Sequence, residues 1–340
     1  DWPGNQAEGL VHTAAGVPIK GVAPRNQYVP IARPAVGGES VDLLLEAAAN
    51  PDILAKGMLP TPLGHPDTAG RDPIYTFAKA DLAVLDEDVY HLVLDVEVAR
   101  ELAVELSPGD PRRAELLRAL ERCMDAVDLQ DVSGTAARAR EVLAPALAKP
   151  ATASAHVVSA AGHAHIDSAW LWPLRETMRK NSRTFSNVAA LAQEYPEMVF
   201  ACSSAQQYAW TQERYPVVFE RIKEAIAAGT WAPVGGQWVE ADGNLPGGEA
   251  LARQIVVGTK FFREQLGVEP HGVWLPDSFG YTAAYPQLAR LAGFDWFLTQ
   301  KISWNQTNKF PHHSFWWEGI DGSRIFTHFP PADTYNGNFD

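Results

Sequence analysis

The sequence predicts an α/β protein built on a parallel sheet, preceded by a region that is β-rich at first and then helical. Three observations lead there. From His156 onward, short strand-like runs alternate with helical ones. Between Asp81 and about Lys149 the chain carries helix-start signals and apolar residues at helical spacing. Residues 1 to about 75 are rich in Pro and Gly, with short extended pieces. Alternation with short connections calls for parallel strands with helices on the sheet faces, either doubly wound or closed into a barrel. The expected division is an accessory region over 1–150 and an α/β domain over 151–340.

Taken in order, Asn26-Gln-Tyr-Val-Pro-Ile31 reads as an extended piece of the first region. Asp110-Pro111 is a helix start, with Asp as N-cap and Pro at the first helical position. Leu116, Leu120, Cys123 and Val127 then mark one buried helix face. Gly134 through Leu147, rich in Ala and Arg, favours another helix. Lys149-Pro-Ala-Thr-Ala-Ser154 reads as a linker. His156-Val-Val-Ser-Ala-Ala161 reads as a short buried strand. Further strands are expected at 198–204, 231–234, 271–276, 295–299 and 324–329, with helices at about 173–194, 206–228, 247–266 and 283–292. In either layout functional groups gather at the carboxyl ends of the strands.

Composition narrows the function. Of 340 residues, 46% are hydrophobic, so a substantial core is expected. A formal charge of −13 argues against nucleic acid or an anionic membrane surface as the main partner. Two cysteines, Cys123 and Cys202, read as buried thiols, and a chain so poor in cysteine fits a reducing, cytoplasmic compartment. No segment approaches the roughly 20 apolar residues of a membrane span. The chain starts at Asp1 rather than Met, as a fragment of a longer protein would.

Ala161-Gly-His-Ala-His-Ile-Asp-Ser-Ala-Trp170 sets His163, His165 and Asp167 at alternate positions directly after an apolar run. An extended backbone points alternate side chains the same way, so His165 and Asp167 can converge on one ion. That donor mixture suits Zn²⁺, Mn²⁺ or Co²⁺ better than Ca²⁺ or Mg²⁺. The alternative is a polar loop whose histidines bond only to backbone. Asp277 follows the strand-like His271-Gly-Val-Trp-Leu-Pro276, as a reactive carboxylate or as a helix N-cap. Val234-Gly-Gly-Gln-Trp-Val-Glu-Ala-Asp242 offers Glu240 and Asp242 after another strand, either to sugar hydroxyls or as solvated acids in a turn. Lys301 follows a strand and either reaches the same mouth or is solvated. Trp170, one of eleven tryptophans, is either core or a stacking floor for a pyranose. A Gly-rich phosphate loop, a Gly-x-Ser-x-Gly elbow and a CxxC pair are all absent from the sequence.

Gly-His-Ala-His-Ile-Asp-Ser-Ala-Trp, Val-Gly-Gly-Gln-Trp-Val-Glu-Ala-Asp, Leu-Pro-Asp-Ser-Phe-Gly and Thr-Gln-Lys-Ile-Ser-Trp-Asn, in that order, resemble α-mannosidases of glycoside hydrolase family 38, in the form of the cytosolic and vacuolar branch and its bacterial relatives. The resemblance is strongest from about 155 to 340. It implies a (β/α) barrel-like catalytic domain of an incomplete seven-stranded type, truncated at its carboxyl end. It implies His165, Asp167 and Asp277 as ligands of a zinc ion, with cobalt as a substitute, and Asp277 as the catalytic nucleophile as well. Trp170 would form the floor under the mannose, and Lys301, Tyr335 and Asn336 would line the substrate site. Asn336 departs from the Tyr-Asp pair of other branches, and His163 is read as structural or supporting. The implied substrate is a mannose-containing oligosaccharide, hydrolysed with retention, and a homo-oligomer is expected of the full-length form.

The general acid/base and a fourth, histidine ligand are expected beyond residue 340, so the chain alone is expected to be inactive. A metal-dependent carbohydrate deacetylase and a non-catalytic carbohydrate-binding protein are the competing readings. Neither of these uses a carboxylate nucleophile.

Overall fold

The computed structural model describes residues 7–24, 26–49, 77–170 and 172–330. Its contacts form two units: Phe77–Ser159, and a second made by the described residues of 1–76 together with those of 160–340. The β-rich start is an antiparallel three-stranded sheet of β1 (Ala7–Thr13), β2 (Pro18–Val22) and β3 (Leu43–Ala49), with β1 in the middle. Asn26 makes an isolated bridge to Ala23, but the residues after it form no strand, so the extended piece expected at 26–31 is not part of the sheet.

The unit Phe77–Ser159 consists of α1 (Glu87–Glu105), α2 (Pro111–Asp125) and α3 (Val132–Leu147). An aspartate caps each helix. Asp86, Asp110 and Asp131 accept from the backbone N–H of Val89, Arg112 and Gly134 at 3.0, 2.8 and 3.0 Å. Each such cap stabilises by about 1 kcal/mol. Every helix buries three residues, and the set is small: Leu92, Ala99 and Ala103; Leu116, Ala119 and Cys123; Ala136, Ala139 and Leu143. Alanine at these contacts lets the backbones approach closely. The Asp110-Pro111 start and the buried face through Leu116 and Cys123 are as the spacing predicts.

The α/β part of the other unit runs β4 (Gly162–His163), α4 (Leu174–Glu194), β5 (Phe200–Cys202), α5 (Ala205–Arg214), α6 (Pro216–Ala228), β6 (Trp231–Pro233) and α7 (Gly248–Phe261). A π turn over Phe262–Leu266 precedes β7 (Gly272–Leu275), α8 (Tyr285–Leu291), β8 (Trp296–Thr299), a 3₁₀ turn over Lys301–Trp304, β9 (Ser314–Glu318) and β10 (Arg324–His328). Strands β4, β5 and β6 pair in parallel, and so do β7, β8 and β10. Strand β9 adds an antiparallel edge against β10. The fold is thus mixed α/β with parallel sheet and an amino-terminal β region, as expected.

Two local expectations are corrected, and one further strand is added. The buried strand expected over 156–161 is not there: Val157 and Val158 are exposed, and strand structure begins only at Gly162. Strand β5 offers a ladder only from Phe200, opposite Gly162, so residues upstream have nothing to pair with. The helix expected over 206–228 is two helices, because Pro216 has no N–H to continue α5 and instead opens α6. Strand β9, whose burial alternates, pairs through the turn Gly319–Ser323 and was not foreseen.

Two apolar clusters fix the strand ends. One gathers Phe185, Tyr208, Phe219, Trp231 and Phe262 around β5 and β6. The other gathers Leu251, Val273, Tyr285, Phe294 and Phe297 around β7 and β8. Gly236 lies at φ +118°, and a Cβ there would strike Phe294 and Pro270. Its neighbour α7 comes so close that a Cβ on Gly258 would strike the backbone of Gly236 to Trp238. The glycines after β6 therefore let that loop lie flat against a helix, which delivers Glu240 to the site.

Candidate active site

The groups in the site follow four parallel strands: His165 and Asp167 follow β4, Glu240 follows β6, Asp277 follows β7 and Lys301 follows β8. Beyond β4, Ile166 is buried and its carbonyl accepts from Gln207 Nε2 at 2.7 Å. Its neighbours His165 and Asp167 face the opposite way. His165 Nε2 lies 3.3 Å from Asp167 Oδ1 and 3.5 Å from Asp277 Oδ2. Donor atoms of these three side chains all lie within 4.8 Å of one another. Ligands about 2.0–2.2 Å from one tetrahedral ion stand roughly 3.3–3.6 Å apart, so the spacing fits a bound metal.

Asp277 caps no helix, since α8 starts only at Tyr285 with Ala284 in the cap position. Its Oδ1 instead meets Lys301 Nζ at 2.6 Å. The Lys301 side chain is 1% exposed, and its ammonium lies 3.7 Å from the ring centre of Trp304 and 4.8 Å from that of Phe279. The solvated alternative for this lysine is therefore replaced by a buried ion pair.

Glu240 and Asp242 behave differently. Asp242 Oδ1 accepts from the backbone N–H of Asn244 and Leu245 at 2.7 and 2.8 Å, which makes it a turn residue. Glu240 turns inward, where Oε1 accepts from Ser203 Oγ and Oε2 lies 3.3 Å from His165 Nδ1. The sequence offers Glu240 either to sugar hydroxyls or as a solvated acid, and it carries no sign of the place beside His165. Only the glycines and the strand before it hinted that this loop is held. Ser204, at the end of β5, has φ +68°, a strained conformation for a residue with a Cβ. The backbone N–H groups of Ala205 and Gln206 then bond the carbonyls of Gln237 and Trp238 at 3.1 and 2.9 Å, tying the two loops together.

His163 stands beside His165, with 6.2 Å between the ring centres. Its Nδ1 lies 2.9 Å from the Ala201 carbonyl, while Nε2 is buried and has no hydrogen-bond partner among the described residues. Burial lowers its pKa, which favours the neutral ring. For His165 burial acts in the same direction, but the carboxylates of Asp167 and Glu240 outweigh it and push the pKa up to about 10. Three carboxylates thus surround one imidazole at a point where positive charge is favoured. Trp170 is 47% exposed and meets Trp172 edge-on at 5.6 Å between ring centres. Tyr335 and Asn336 lie outside the described residues.

Residues 155–340 match the model of the glycosyl hydrolases family 38 N-terminal domain. The chain belongs to this family. Residues 3–83 match a second model, the alpha-mannosidase jelly roll domain. Among relatives of the family 38 chain, alpha-mannosidase 2C1 of Homo sapiens is 39% identical over 97% of this chain and 32% of its own length. Alpha-mannosidase G of Dictyostelium discoideum is 40% identical over 79% of this chain and 25% of its own. Alpha-mannosidase of Saccharomyces cerevisiae is 41% identical over 76% of this chain and 25% of its own. The chain thus spans between a quarter and a third of the length of these relatives. Among the described residues no helix is long and apolar enough to cross a membrane.

Proposed function

We propose that this chain contributes the zinc and nucleophile half of a retaining α-mannosidase site, built on one arc of a (β/α) barrel of the seven-stranded type. The observation that carries the reading is the convergence of His165, Asp167, Asp277 and Lys301 from the ends of β4, β7 and β8. Relatives about 40% identical carry the name alpha-mannosidase, which supports mannose-containing oligosaccharides as substrate. The accessory region is proposed to span 1–150 and the catalytic domain 151–340.

His165, Asp167 and Asp277 would hold the zinc ion, with cobalt as a substitute. One nitrogen and two carboxylate oxygens are a donor set suited to such ions. Bound there, the ion would grip neighbouring sugar hydroxyls and orient the ring. Asp277 attacks the anomeric carbon, forming an ester bond as the glycosidic C–O bond breaks. The departing oxygen takes a proton from a general acid, a role that none of the motifs gives to a described carboxylate. Lys301 holds Asp277 Oδ1 and leaves Oδ2 on the His165 side. Exposed Trp170 offers its face to the sugar's C–H groups. Tyr335 and Asn336 are proposed to complete the substrate site.

The test is to treat the full-length polypeptide carrying this sequence with a fluorinated mannosyl reagent that accumulates the glycosyl-enzyme. Peptide mapping should find the label on Asp277. A label on another residue, or turnover that survives Asp277→Asn, would overturn the assignment. A deacetylase or a lectin would take no label.

A further inference from the structure

Glu240 is the one acid in the cluster that the proposed chemistry leaves without a task. We infer that it is a positioning residue for His165, accepting the Nδ1 proton so that Nε2 is the free nitrogen facing Asp167 and Asp277. The inference rests on the metal-site reading above.

The two imidazole nitrogens face different groups. Nε2 is 3.3 Å from Asp167 and 3.5 Å from Asp277, whereas Nδ1 is 3.3 Å from Glu240 Oε2. A metal-binding histidine commonly gives its second nitrogen's hydrogen to a carboxylate, which fixes the tautomer and the ring plane. Glu240 Oε2 is buried and has no well-aligned hydrogen bond among the described residues. A buried acceptor left without a donor is costly, and the Nδ1–H of His165 is the donor at hand.

The carboxylate is itself held. Ser203 Oγ donates to Oε1 from the end of β5. The preceding loop is pinned by Trp238 N–H to the Gln254 carbonyl, Val239 N–H to Gln254 Oε1 and Trp238 Nε1 to Gln206 Oε1, each 2.9 Å. Glu240 therefore presents Oε2 from a rigid frame, as a group that orients another must.

A second arrangement uses some of the same atoms, since His163, His165 and Glu240 also bring donors within 4.8 Å of one another. An ion there would take His165 Nδ1 and deny it to Glu240, so the two arrangements separate by experiment.

Zinc affinity of the full-length polypeptide, the visible spectrum of its cobalt form and the melting temperature of the metal-free form would be compared for the parent, Glu240→Gln and Ser203→Ala. Glu240→Gln should weaken zinc binding by about 10–100-fold and shift the cobalt spectrum, beyond what any fall in the metal-free melting temperature accounts for. Ser203→Ala should act in the same direction and less strongly, which keeps the test open if the first variant fails to fold. Zinc affinity in Glu240→Gln within about twofold of the parent would overturn the inference, because loss of a group that orients a ligand costs tenfold or more. So would a loss of affinity that only tracks a lower metal-free melting temperature. Zinc that persists after Asp167→Asn but is lost in His163→Ala would place the ion between His163 and Glu240 and also overturn it. Failure of the metal-site reading looks different: the parent itself would take up no zinc.

Discussion

Lys301 and Asp277 show how much one buried pair carries. The lysine is almost fully enclosed while the aspartate stays 23% exposed, so water screens the pair from one side only. Removing one partner of a fully buried pair costs about 3–5 kcal/mol, and the partial exposure of Asp277 brings the expectation for Lys301→Met down to about 1–3 kcal/mol. Urea unfolding of the metal-free protein checks this, and a change below about 0.5 kcal/mol, the range of ordinary surface substitutions, would show the pair to be incidental. Lys20 on β2 behaves in the opposite sense. Its Nζ donates to Asn26 Oδ1 and the Tyr28 carbonyl at 2.7 and 3.0 Å, and burial lowers its pKa to about 8. The unfolded chain then binds more protons between about pH 8 and the usual lysine value of about 10.4. Stability should rise with pH across that window, its gain complete above the unfolded pKa and lost as pH falls through about 8. Melting temperatures measured across that range should show the slope in the parent and lose it in Lys20→Met.

Helix α4 joins the two parts of its unit, packing closely on β2 at Gly21 and holding β1 and β3 through charge. Glu8 on β1 pairs with both Lys180 and Arg183, Arg183 also holds Glu176 at 2.7 Å, and Arg179 reaches Glu46 on β3 at 2.6 Å. Burial would raise the pKa of Glu8, but Lys180, then Arg183, hold it below the ordinary carboxylate range. Arg183 is only 4% exposed, and Arg183→Ala leaves Glu8 with Lys180 and Glu176 with Arg179 as their remaining cations. It should destabilise by about 1–3 kcal/mol, less than the loss of an uncompensated buried pair. Arg33→Ala, which breaks a pair with Glu194 in which the arginine is 49% exposed, should cost about 1 kcal/mol or less. Denaturant midpoints compare the two, and equal effects would sink the claim that α4 is held by this buried cluster. None of this was readable in the sequence, because Glu8 and Arg183 lie far apart in the chain and pairing at that range leaves no periodic trace.

At the scale of the whole molecule, what was legible follows one rule: residue patterns alone show local chemistry, and long-range meeting was expected only where a family resemblance supplied it. Asp110-Pro111 announced α2 because a cap needs only its own turn. His165, Asp167 and Asp277 were named because each stands in a motif, and their meeting was expected from the family resemblance, not from spacing. Glu240 was visible as an acid in a loop, but its partner comes from another strand. The buried strand before Gly162 failed because apolar residues alone do not supply a neighbouring ladder. The same rule yields a prediction for the segment Phe77–Ser159. Its three helices carry their own aspartate caps, and their buried residues form a cluster drawn from these helices alone. Contacts that local should not need the remainder of the chain, although a core this rich in alanine makes a small domain marginal. Expressed alone, residues 77–159 should show a helical circular dichroism spectrum and a cooperative melt. Leu116→Ala should destabilise it by about 2–5 kcal/mol, because Leu116 is fully buried. A non-cooperative melt, or an isolated segment indifferent to Leu116→Ala, would mean that these helices depend on the rest of the polypeptide for their packing.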